Sequence, residues 1–119
     1  MITQASKQYD LEKRTMMFAK SVALFCKKLK KDIIATEYIK QVIRSSSSIG
    51  ANYIEANESL SKKDFLMRIK ICRKEAKETT YWLELIFKII DNQDSKLNQL
   101  IIEAIELTKI FSSIIEKSK

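Results

Sequence analysis

The fold turns on residues 43–56, Ile43-Arg44-Ser45-Ser46-Ser47-Ser48-Ile49-Gly50-Ala51-Asn52-Tyr53-Ile54-Glu55-Ala56. Read by composition, four consecutive serines beside the only glycine of the chain describe a linker. The apolar residues around them say otherwise. Ile39, Val42 and Ile43 precede the serines, and Ile49, Tyr53 and Ala56 resume the same three-to-four-residue period beyond them. A period that crosses the tract in phase requires a helix running through it. The serines, Gly50 and Ala51 then form a thin-walled stretch that lets a neighbouring helix come close. Close packing must offset the cost in intrinsic helix propensity.

Working outward, this helix is expected over residues 37–58, with Thr36 as N-cap and residues 30–35 as the connection before it. On the same helix Arg44, Ser48, Asn52 and Glu55 are spaced four, four and three, a polar stripe beside the apolar one. Two readings are open. The stripe is an anion or partner site, or it is a hydrogen-bond network that fixes helix register, with Arg44 and Glu55 neutralising each other.

Ser61-Lys62-Lys63-Asp64 is a near capping box, and it opens a helix expected over residues 62–90. Phe65, Ile69, Cys72, Ala76, Thr79, Leu83, Ile86 and Ile90 form its seam, while Trp82, Leu85 and Ile89 add a second stripe in the C-terminal half. Two stripes call for two partners, and the second is expected to be another subunit. The turn at residues 91–95, with Asp94 as N-cap, leads into a helix over residues 95–117, whose seam is Leu97, Leu100, Ala104, Leu107, Phe111 and Ile114. Ile101, Ile105, Thr108 and Ile115 widen that stripe beyond the needs of a lone bundle. Upstream, Leu11, Phe18, Val22, Phe25 and Leu29 mark the first helix, over residues 10–29. Lys13, Lys20 and Lys27 recur every seven residues on it, about 200° from the apolar stripe.

Composition agrees with four helices. Among 119 residues there is no proline and one glycine, too little punctuation for the turns of a sandwich or barrel. With 45% apolar and 31% charged residues the chain can bury a core. The expected architecture is a single all-α domain over residues 1–119, an antiparallel up-down-up-down four-helix bundle.

A net charge of +7 favours anionic partners. The surplus is concentrated in residues 1–35, at about +5, and residues 61–93, at about +3. The first and third helices run parallel in such a bundle, so their basic faces are expected to share one side of the molecule.

Catalysis is not expected. There is no histidine for proton transfer near neutral pH, and no Gly-rich phosphate loop or Glu-x-x-His pair. Cys26 and Cys72 sit on apolar seams, where thiols act as small hydrophobes. A carboxylate-only site built from Glu55 and Glu84 is conceivable but not expected. A zinc site lacks ligands, and no cofactor is expected. The N-terminus lacks a signal-peptide core and no run is long enough to span a bilayer, so a cytoplasmic chain with no membrane role is expected.

The stretch quoted first resembles the signature of the 23S rRNA intervening-sequence protein family, bacterial four-helix-bundle proteins also called S23-like. That signature reads roughly Ile-Arg-Arg-(Ala/Ser)-x-Ser-(Ile/Val)-x-x-Asn-Ile-Ala-Glu-Gly. Arg44, Ser48, Ile49, Asn52 and Glu55 match it position for position, and Phe65 and Glu84-Leu85 resemble its later elements. Ser45 stands where a second arginine is frequent, Tyr53-Ile54 replaces a smaller pair, and Ala56 replaces the usual glycine. The resemblance implies an antiparallel four-helix bundle that assembles as a homopentamer. It also implies association with ribosomal RNA or, as in relatives that are accessory proteins of diversity-generating retroelements, with a reverse transcriptase and nucleic acid.

Two functions are therefore expected to compete. One is binding of RNA or DNA without base readout, through Lys13, Lys20, Lys27, Lys28, Arg68, Arg73 and Lys74. The other is a scaffold whose main partner is a protein such as a reverse transcriptase, with Trp82, Leu85 and Ile89 at the oligomer interface.

Overall fold

The computed structural model describes residues 4–90 and 94–119, those before residue 10 by their backbone alone. Asp91, Asn92 and Gln93, the start of the expected last turn, lie outside the described residues. Four helices follow one another: α1 (Gln4–Lys27), α2 (Ile33–Asn57), α3 (Lys62–Ile89) and α4 (Ser95–Lys117). They form an antiparallel up-down-up-down bundle 45 Å long, and no strand occurs among the described residues. A 25-residue helix such as α2 spans about 37 Å.

Helix α2 runs without a break through the serine tract. Ser45 and Ser46 face inward and are fully buried, while Ser47 points to solvent. The Ser45 and Thr79 hydroxyls are hydrogen-bonded at 2.8 Å, and the Glu75 carbonyl accepts from the same Thr79 Oγ1 at 2.8 Å. Small polar side chains that satisfy each other across the seam thus stand where large apolar ones would hold α2 and α3 apart. On the other flank of α2, a Cβ added to Gly50 would lie 2.8 Å from Thr15 Oγ1 and 3.3 Å from Thr15 Cβ. Thr15 is pinned by donating to the Leu11 carbonyl at 2.9 Å, so Gly50 is what lets α1 approach.

Between the helices lies one contiguous core, with Val22, Ile49, Ile69, Leu83, Leu107 and Phe111 at its centre. Each such side chain contributes about 1.5–3 kcal/mol by leaving water. The seams read from the sequence supply most of it. Ile114 is half-buried, and Ile115 takes the buried position at the end of α4.

Helix starts follow side-chain caps. Ser61 accepts from the Asp64 N–H at 3.1 Å, and Asp94 accepts from the Lys96 N–H at 2.8 Å. Thr36 is not a cap. Helix α2 begins at Ile33, where Asp32 Oδ1 accepts from the Ala35 N–H at 2.8 Å. Ile33 and Ile34 are exposed, so the apolar period carries no trace of this first turn.

Neighbouring helices around the bundle are in contact, while the backbones of α1 and α3 stand apart across the diagonal. The expectation that their basic faces share one side is therefore wrong. Parallel direction does not make two helices neighbours, and the outer faces of diagonal helices point away from each other.

Candidate nucleic-acid interface

On α1 the heptad lysines lie where their spacing requires. Lys13, Lys20 and Lys27 are exposed, as is Lys28, and none has an ion-pair partner among the described residues. At 1.5 Å per residue the first three span about 21 Å of one helix face. On the same helix Glu12 accepts from Asn57 Nδ2 at 3.0 Å, tying α1 to α2.

The expected α3 contacts divide. Arg68 is half-buried, and its Nη1 donates to Asn52 Oδ1 at 3.1 Å, toward α2. Arg73 is half-buried as well, close enough to Glu116 of α4 to lower that carboxyl group's pKa, though less than Lys119 does. Lys74 is exposed, with Nζ 3.8 Å from Glu75 Oε1. Exposed cations also lie at Lys63, Lys70 and Lys77, within the basic stretch of residues 61–93. They repeat every seven residues, the same signal that marked α1, and they define an outer stripe on α3.

The polar stripe of α2 lies in the α2–α3 seam. Arg44 Nη2 donates to Glu78 Oε2 at 3.0 Å and Nη1 to Glu75 Oε2 at 3.4 Å. Asn52 donates to the Ser48 carbonyl at 2.9 Å while accepting from Arg68, and Ser48 Oγ donates to the Ser45 carbonyl at 3.2 Å. Arg44 and Glu55 do not neutralise each other. Three helical turns separate them, about 16 Å, and Glu55 is exposed. The arginine pairs across the seam instead, with a Glu75 side chain only 8% exposed against its own 52%. Glu84 is also exposed, on the other helix.

Trp82 is half-buried. Its ring lies 6.1 Å from Tyr38 of α2 and 5.1 Å from Tyr81, packed against the core edge. Helix α3 packs against both α2 and α4, and Trp82 of the second stripe faces α2. Leu85 is half-buried, and Ile89 remains exposed at the helix end.

Cys26 and Cys72 are both buried and free of disulfides. Burial pushes the Cys26 thiol up to about 11 and the Cys72 thiol to about 12, so neither is a thiolate near neutral pH. Among the described residues no cluster of three ligating side chains could hold a metal ion, and no helix is long and apolar enough to cross a membrane.

Comparison with known proteins follows this geometry. A family model described as 23S rRNA-intervening sequence protein matches residues 7–113. Among solved structures, the chain is similar to a protein of unknown function from the S23 ribosomal protein family of Bacteroides thetaiotaomicron. The two are 31% identical over 87% of this chain and 96% of that one, with a TM-score of 0.77. No curated protein matches the chain.

Proposed function

The chain belongs to the 23S rRNA-intervening sequence protein family, and on that premise we propose that it is a non-catalytic, oligomeric helical bundle that binds RNA or DNA through its lysine faces. The observation that carries this reading is the α1 face, where Lys13, Lys20 and Lys27 stand exposed in one row with no acidic partner among the described residues. A row of flexible ammonium groups meets phosphates as point charges and reads no base edges. Affinity is then electrostatic and tolerant of sequence. The outer stripe of α3 is a second, separate face, so one copy offers two faces to nucleic acid and an oligomer presents many.

A salt titration tests this. Each phosphate neutralised on duplex DNA contributes about 0.9 to the log–log slope of affinity against salt. Three contacts on α1 therefore give a slope near −2.7, about, and Lys13→Glu/Lys20→Glu/Lys27→Glu removes most of it. Binding that survives this triple variant, or its absence at low salt, overturns the reading.

A second reading makes a protein such as a reverse transcriptase the main partner. The large apolar side chains left exposed on the bundle favour it, among them Met16, Ile54, Ile102 and Leu60. On this reading Ile102→Glu abolishes assembly or partner capture and leaves nucleic-acid affinity unchanged.

A further inference from the structure

One end of the bundle combines two features that the lysine faces lack together. Ile33 and Ile34 open α2 at 86% and 59% exposure, and Ile89 closes α3 at 41%. The same end holds a depression of 450 Å³, floored by Phe25, Leu29, Ile89 and Ile90 and rimmed by Lys28 and Lys30. Lys27 and Lys31 stand exposed beside them.

Helix formation explains only part of this. Lysines at the end of α1 complement the helix dipole, and Lys31 Nζ donates to the Lys27 carbonyl at 3.4 Å. Among the described residues two acids also line the depression, each capping a helix, Asp32 through the Ala35 N–H and Asp94 through the Lys96 N–H. They keep their charge, so the positive surplus at this end rests on Lys27 and Lys31 together with Lys28 and Lys30. Nothing in helix initiation calls for two isoleucines in water at the first turn, since β-branched residues are ordinary helix formers at best.

We propose that this end docks an acidic protein segment that carries an aliphatic or aromatic side chain. The carboxylates meet the lysine rim, and the apolar side chain enters the depression beside the exposed isoleucines. A phosphate backbone matches the lysines but brings nothing to cover Ile33 and Ile34, which have no flat ring on which a base could stack. A bilayer surface covers protruding isoleucines but cannot descend into a concave floor. A peptide satisfies both features. The surface adjoins the α1 lysine row and shares Lys27 and Lys28 with the proposed nucleic-acid face. Ile33, Ile34 and the apolar floor lie outside that row, so the apolar peptide's advantage over its serine control tests docking separately from nucleic-acid binding.

Fluorescence anisotropy with a labelled synthetic peptide of Asp and Glu interrupted by Leu and Phe tests the idea. Its control has Ser in place of Leu and Phe at equal charge. Burying one or two such side chains makes the first peptide bind about tenfold more tightly or better. Ile33→Ser/Ile34→Ser, at exposed positions, loses that advantage with helix content unchanged by circular dichroism. In the unaltered protein the peptide shifts the amide signals of Lys28, Ile33 and Ile34. Equal affinity for both peptides, or an unaffected double variant, overturns the proposal. So does a single-stranded oligonucleotide or phosphatidylglycerol vesicle that moves those signals when the apolar peptide does not.

Discussion

Two seams of this bundle are built from amphipathic helices of similar pattern, yet they pack differently. Between α2 and α3, the buried Ser45, Thr79 and Ala76 let the backbones close in, and Arg44, Asn52 and Arg68 stitch the margin. Between α1 and α4 the main link is a single bidentate ion pair, Arg14 Nε to Glu103 Oε2 at 2.7 Å and Nη2 to Oε1 at 2.8 Å. Clefts of 530 and 240 Å³ flank that pair. Small side chains at a seam buy proximity, whereas long charged ones hold helices apart and bridge the gap. Stability should therefore be concentrated at α2–α3 and spread thin at α1–α4.

The sharpest way to break this contrast is to empty the tight seam. Ile49→Ala removes a fully buried side chain from the stretch of α2 whose backbone faces α3, where the Ile49 main-chain carbonyl accepts from Cys72 Sγ at 3.5 Å. Urea unfolding should show a loss of about 3–4 kcal/mol. Next, Arg44→Ala leaves the nearly buried Glu75 carboxylate without its guanidinium. The expected loss is about 2 kcal/mol, below that of a wholly buried pair because Arg44 itself is half in water. Gly50→Ala pits two effects against each other. Helix propensity improves by about 1 kcal/mol, but the new methyl meets a pinned Thr15, at a cost of about 1–3 kcal/mol. The net expectation is a loss of about 1 kcal/mol, and Thr15→Ala in the same chain should restore part of it by removing the hydroxyl that the new methyl would meet. Smallest is Glu103→Gln at the loose seam, with Arg14 and Glu103 at 44% and 29% exposure. Its cost should stay under about 1 kcal/mol and shrink with added salt. A cost at Glu103 matching that at Ile49 would erase the distinction between the seams.

Much of the architecture is legible from spacing alone, because a 3.6-residue period repeated over several turns leaves little freedom in element type. The period carried α2 through four serines, and Ser61 and Asp94 announce their helices chemically. Where the period is silent, the boundaries shift. Helix α2 starts at Ile33 because its first turn is apolar yet unburied, and α1 extends back to Gln4 over a stretch with no seam to read. The site was less legible for a different reason. Arg44 meets Glu75 and Glu78 from another helix, and Trp82 meets Tyr38, and neither partner lies within reach of local periodicity. Which helices are diagonal follows from loop order, but which flank Arg68 or Arg73 leans toward depends on the rotation of α3 about its own axis. Chain order leaves that rotation open.

Native-state hydrogen exchange on the amides of residues 45–52 tests the tight seam most directly. If these serines form a wall of closely approached helix, their amides exchange only through global unfolding, as slowly as those of the facing stretch 72–79 and more slowly than those of 10–16 in α1. Exchange of the serine amides at the rate of an open connection, with the helices on either side still protected, would show a hinge where a wall is required.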